Sequence, residues 1–201
     1  MILSSKPLSF AVKATMALIA ITTSRTSLVV EAAPHDFDDL PPGSVYVVGD
    51  HDISQGVDFF ADCFYWFGVA APFCGGFSMV VPPPTPTHPD CPEMGENTMM
   101  LNNINLIFAY SESSIKYVRE PWYPFVYYGG NVNFNVDGGA LHNFNDILDA
   151  NGVAMGNGCV VSFEKLVTWG SNNSCGYFVL NNCKVEKFMV GGQETFWDGA
   201  N

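Results

Sequence analysis

Apolar and polar residues alternate along "GGNVNFNVDGG", residues 129–139, where Val132, Phe134 and Val136 interleave with Asn131, Asn133, Asn135 and Asp137. Successive side chains of a strand point to opposite faces, so the segment predicts a β-strand with Val132, Phe134 and Val136 on its core face. The same period, or a short β-branched and aromatic run, marks "SVYVVGD", "GVDFFADCFYWFGV", "FCGGFSMVV", "INLIFAY", "SIKYV", "CVVSFEKLVTW", "GYFVL", "VEKFMV" and "ETFWD". Gly, Pro and Asn turns separate these runs, and Asn151-Gly152 is the strongest local hairpin signal. Beyond residue 32 no apolar series at i, i+3, i+4, i+7 persists over three turns. The pattern predicts an all-β, antiparallel β-sandwich of roughly nine short strands. No Cys…Trp…Cys spacing of the immunoglobulin type occurs, which favours a jelly-roll-like arrangement.

Two stretches break the rhythm. "REPWYPFVYY" carries Pro121 and Pro124, whose missing N–H groups confine it to a sheet edge or a loop start. "PPPTPTHPDCPEMGEN" is too poor in donors to join a ladder, and it predicts a polyproline-like surface loop over residues 82–98, stapled by Cys91.

The first 32 residues have a different chemistry. Lys6 and Lys13 precede the uncharged run Ala14–Ser24, and small residues follow at Ala32-Ala33. That order predicts a secretory signal peptide over 1–32, cut after Ala32, with a single domain over 33–201. Arg25 and the Ser/Thr content also suit an organellar transit peptide, the competing reading. The apolar run is shorter than the roughly 20 residues that span a bilayer, so no membrane insertion is expected. Cleavage removes Lys6, Lys13, Arg25 and Glu31, leaving 5 basic and 19 acidic residues and a net charge of −14. Such a surface repels phosphate backbones and anionic lipid heads, which argues against nucleic acid as a partner.

All six cysteines, Cys63, Cys74, Cys91, Cys159, Cys175 and Cys183, lie downstream of the signal. An even count in an exported chain predicts disulfides, and no C-x-x-C supports zinc. Pairing of Cys63 with Cys74, and of Cys159 with Cys175 or Cys183, follows if their segments are strand neighbours.

The tail "VEKFMVGGQETFWD", with "YYGGNVNFNVDGG", "LHNFNDILDANGVAMG" and the opening "LPPGSVYVVGD", is similar to a loosely defined set of secreted, mostly uncharacterised bacterial and algal proteins. The resemblance covers most of residues 40–198. It implies one jelly-roll-like sandwich of the carbohydrate-binding or adhesive sort, without an assigned activity. The Pro-rich insertion and the extra cysteines depart from that pattern.

Candidate chemistry is sparse. Asn131, Asn133, Asn135 and Asp137 would share one strand face about 6.6 Å apart. That row is either the solvated face of a sheet or a polar floor whose amides, donor and acceptor together, hydrogen-bond sugar hydroxyls. Trp122, Tyr123 and Tyr128 precede it and supply flat rings for stacking on a sugar. Trp66 and Trp169, among apolar neighbours, are expected in the core. Asp36 and Asp38, with Asp39 beside them, would approach Asp198 if the first and last strands are neighbours, which could hold a structural calcium ion. Asp50, Asp52 and Asp58 form a second acidic group. Asn172 opens a glycosylation sequon. No nucleophile elbow, metalloprotease helix or phosphate-cradling loop is present, so Glu164 and Glu194 are the candidate pair only for glycoside hydrolysis. The function expected is non-catalytic binding of a polysaccharide, an extracellular matrix or a cell-wall surface. Two alternatives stand beside it: a structural or adhesive wall protein, and a small glycosidase or lyase.

Overall fold

The computed structural model describes residues 37–83, 88–91, 94–110, 118–124, 131–156, 158–170, 173–181 and 185–198, with 118–124, 156 and 181 described by backbone alone. The chain is all-β: 12 antiparallel strands, two short 3-10 turns and no α-helix among the described residues. Two long strands form its spine. β5 (Thr98–Ala109) and β12 (Lys187–Trp197) pair along nearly their whole length. Each is bulged near its middle, where Asn103 (φ 54°) and Glu194 (φ 55°) adopt left-handed backbone and the register shifts around Gln193. A bulge bends a strand and sharpens its twist, and here each spine strand changes its outer neighbour at that point. β5 pairs β3 (Val57–Cys63) through Ile104–Ala109 and β4 (Phe77–Val81) through Thr98–Asn102. β12 pairs β7 (Val132–Val136) through Phe188–Gly192 and β6 (Val118–Pro124) through Thr195–Trp197.

The spine thus divides into two layers. One continues through β3 to β2 (His51–Ser54) and through β7 to β8 (His142–Phe144). The other continues through β4 to β1 (Val45–Val47), and through β6 to β11 (Asn173–Asn181), β10 (Cys159–Trp169) and β9 (Ala154–Gly156). Their inner faces meet in aromatic contacts: Tyr46 against Phe59 at 5.0 Å, and Phe134 stacked on Phe178 at 4.6 Å with Phe188 and Trp197 around them. The expected core face of β7 is there, with Val132, Phe134 and Val136 all buried. The described strands do not close into a barrel, since β1, β2, β8 and β9 each pair on one side only.

Several local expectations change. The run "GVDFFADCFYWFGV" is a strand only as far as Cys63, after which the chain leaves the ladder for a loop. β6 is not a sheet margin. It lies between β11 and β12, and Pro121 and Pro124 fit because Pro121 falls in the part that pairs only with β11 and Pro124 in the part that pairs only with β12. The tight hairpin falls at Asp137-Gly138, both left-handed (φ 52° and 69°), between β7 and β8, whereas Asn151-Gly152 ends a 3-10 turn. "VEKFMV" and "ETFWD" join into the single strand β12 across Gly191-Gly192. Trp66 and Trp169 are half-buried, and Trp197 is buried in the core.

Cys63 and Cys74 are bonded, as expected from the sequence. Cys91 pairs with Cys175, so the Pro-rich segment is tied to β11 across 84 residues of sequence. That bond removes Cys175 as a partner for Cys159, which is itself disulfide-bonded, and Cys183 lies outside the described residues.

Candidate functional site

The first half of the asparagine row does not face water, while Asn135 and Asp137 are half-buried. Asn133 is fully buried and Asn131 nearly so, although Val132, Phe134 and Val136 already occupy the core side of the same strand. β7 is therefore covered on both faces, and its outer cover is the chain's own loop between Cys63 and Cys74.

Register explains how. Asn105 of β5, Gly191 of β12, Asn133 of β7 and Asn143 of β8 stand opposite one another in one line across four strands. Asn105 and Asn133 are two strands apart, roughly 9.6 Å between backbones, yet Asn133 Nδ2 donates to Asn105 Oδ1 at 3.0 Å. The two amides meet above Gly191. A β-carbon there would collide with Asn105 Oδ1, which is why this strand interior carries glycine. Asn143 Nδ2 donates to Asn133 Oδ1 at 2.6 Å, extending the line by one strand.

From this line the amides reach the loop backbone. Asn105 Nδ2 donates to the Cys63 carbonyl at 2.6 Å, Asn143 Nδ2 donates to the Tyr65 carbonyl, and Asn131 Oδ1 accepts the Phe67 N–H. Residues 63, 65 and 67 are alternate positions of a segment laid across the sheet. The loop then closes on itself, with Phe64 and Phe73 exchanging both backbone hydrogen bonds (2.9 and 2.7 Å) and the Cys63–Cys74 disulfide below them. Asn135 serves the neighbouring hairpin instead: its Oδ1 accepts the Gly138 N–H at 2.9 Å, and its Nδ2 donates to the Gly139 carbonyl. Asp137 does likewise, accepting the N–H groups of Glu186 and Lys187.

Phe64 is buried and Tyr65 and Trp66 are half-buried, and beyond them the loop exposes its side chains. Phe67 is 56 % exposed, Val69 53 % and Phe73 42 %, and Ala70, Ala71 and Pro72 between them are exposed as well. Nothing charged interrupts them. From Cys63 to Pro89 the chain holds no Asp, Glu, Lys or Arg. Tyr65 and Trp66 stand half-buried at the base, Trp66 edge-on to the buried Phe64 at 5.5 Å.

No family model matches this chain, and no curated protein or solved structure does either. The chemistry is therefore read from its own residues.

The other candidates scatter. Trp122 stands opposite Gly176 and Trp197, and Tyr123 opposite Phe196. They are consecutive positions of β6, which is described by its backbone alone. Tyr128, Asp36 and Asn172 lie outside the described residues. Asp38 and Asp198 do approach a common segment, Asp38 accepting the Asn97 N–H at 2.6 Å and the buried Asp198 accepting the Gly95 N–H. They act there as backbone anchors. Among the described residues no three His, Cys, Asp or Glu side chains gather as metal ligands. Asp39 holds Ser54 Oγ and the Gln55 N–H, and Asp50 accepts the Val47 N–H. Asp52 accepts the Tyr46 hydroxyl at 2.8 Å, and burial together with this bond pushes the Tyr46 phenol well above its usual range. Glu164 in β10 and Glu194 in β12 are separated by β11 and β6.

The sequence reading missed the loop. Its one local signal was Gly191-Gly192 inside a strand, a mark of close approach by another group.

Proposed function

We propose that this protein is an exported, non-catalytic surface-binding sandwich, and that its contact site is the disulfide-closed loop Phe64–Phe73. The carrying observation is the exposure of Phe67, Val69 and Phe73 in a loop whose first limb is held by asparagine amides at residues 63, 65 and 67 and whose mouth is closed by the Phe64–Phe73 bridge and the disulfide. An apolar loop with no internal restraint collapses onto the sheet. This one is fixed in the opposite sense, and large contiguous apolar surface on a folded domain marks a place of contact.

Three further features support the reading. The disulfides suit an oxidising compartment. No helix among the described residues is long and apolar enough to cross a membrane. The likeness to secreted carbohydrate-binding or adhesive sandwiches agrees in kind, but the buried Asn row leaves the expected sugar floor without free amides on β7.

The test is retention on extracellular material. The disulfide-bonded protein is incubated with insoluble polysaccharides and with lipid vesicles, beside a variant carrying Phe67→Ser and Phe73→Ser. Retention of the parent with loss in the variant is expected; equal retention of both would remove the loop from the account.

A further inference from the structure

The surface that this loop fits is a lipid bilayer of low net charge. This inference rests on the surface-binding reading above and names the chemistry of the surface: we infer that Phe67 and Val69 dip into the acyl boundary of a zwitterionic membrane, with Trp66 and Tyr65 at headgroup depth and the exposed Phe73 at the loop's mouth beside them.

Four observations favour lipid over sugar. The first is composition. From Phe67 to Phe73 the side chains are Phe, Gly, Val, Ala, Ala, Pro and Phe, without one hydrogen-bonding group. Sugar recognition requires donors and acceptors placed beside the stacking ring; an acyl layer requires that there be none.

The second is the state of the backbone. Polar groups carried into hydrocarbon must find partners within the protein. Here Phe64 and Phe73 satisfy each other, Val69 donates to the Trp66 carbonyl at 3.0 Å, and Asn131 and Asn143 hold Phe67 N–H and the Tyr65 carbonyl. These groups lie at the mouth and along the first limb of the loop, and the Asn row supplies much of their engagement.

The third is the vertical order of the residues. Trp and Tyr prefer the headgroup region, where an apolar ring and a polar tip are both accommodated, and purely apolar side chains prefer the layer below. Tyr65 and Trp66 are half-buried and precede the exposed Phe67 and Val69 on the way to the loop's tip, while Phe73 is exposed at the loop's mouth opposite Phe64.

The fourth is charge. The loop is a neutral island on a chain whose segment 33–201 carries −14. Anionic headgroups repel such a body, while zwitterionic ones do not. The expected absence of membrane insertion concerned spanning segments; a shallow loop needs neither length nor a helix.

The experiment measures sedimentation of the disulfide-bonded protein with phosphatidylcholine vesicles, with vesicles containing phosphatidylserine, and with insoluble cellulose and chitin. Trp fluorescence is followed in parallel, with Trp66→Phe as the control for the reporting residue. The expected result is partition onto phosphatidylcholine, weaker on phosphatidylserine-containing vesicles at low salt, with a blue shift lost in Trp66→Phe. Replacing both Phe67 and Phe73 with Ser should lower partition about tenfold or more with the melting temperature unchanged. Vesicle binding that survives that double replacement overturns the inference. So does binding that strengthens with phosphatidylserine. Polysaccharide binding that depends on Phe67 and Phe73, without vesicle binding, overturns the lipid assignment and leaves the surface-binding reading standing. Binding to neither material overturns both.

Discussion

Two aromatic regions of this molecule have similar composition and opposite fates. Between β7, β11 and β12, Phe134, Phe178, Phe188 and Trp197 pack ring against ring with almost no exposed surface. In the loop after β3, Phe67 and Phe73 face outward. The difference is not hydrophobicity. It lies in what holds the backbone: ladder hydrogen bonds on both sides of β12 in the first region, and a line of asparagine amides under a disulfide in the second. The amides hold residues 63, 65 and 67, and past the buried Phe64 the chain they anchor runs out to the exposed Phe67 and Val69.

Cutting into the first region should have the largest effect. Phe134→Ala removes a ring that stacks on Phe178 and contacts Phe188 and Trp197, and it should cost about 3–5 kcal/mol of stability, read by denaturant unfolding. Asn133→Ala strikes the joint between the two regions. It deprives Asn105 Oδ1 and Asn143 Nδ2 of a buried partner, for a cost of about 1–3 kcal/mol, and it should make the 64–73 segment the first site of limited proteolysis. If Asn133→Ala left loop cleavage unchanged, the amide line would not be what holds the loop.

A smaller effect is expected from pH. Folding holds the Tyr46 phenol above its ordinary value near 10, first through burial and then through its hydrogen bond to Asp52. The neutral phenol is the form the fold favours, so this contribution is whole below pH 10 and is lost as the pH climbs past that value. Tyr46→Phe should flatten the alkaline fall in melting temperature between pH 10 and the point of unfolding, and an unaltered slope would assign that fall to other groups. The smallest change in stability belongs to the exposed loop. Phe67→Ser combined with Phe73→Ser should alter unfolding free energy by no more than about 0.5 kcal/mol, and a large loss would mean these rings are packed after all.

What the sequence made legible follows the range of the interaction. The alternation that buries Val132, Phe134 and Val136 is a property of five consecutive residues, and it was readable. The Cys63–Cys74 pair, 11 residues apart, was readable for the same reason. Alternation cannot distinguish a face bathed in water from one roofed by another segment, because both require polar side chains. Asn133 needed the register of β5, β12 and β8 to be understood, and that register joins segments far apart in the chain. The prolines of β6 misled on similar grounds. They mark where a strand lacks a neighbour, and β6 lacks one on a different side at each proline. Asp198 and Asp38 reach one segment from separate parts of the chain, and what they hold there is the backbone of residues 95–97.

Native-state hydrogen exchange at the Phe67 amide tests the central claim most directly, since that N–H belongs to an exposed residue yet donates to the buried Asn131. The account predicts clear protection in the parent protein and a fall of roughly fivefold in Asn131→Ala, with the amides of β7 little changed. An unprotected Phe67 amide in the parent, or protection indifferent to Asn131→Ala, would contradict it.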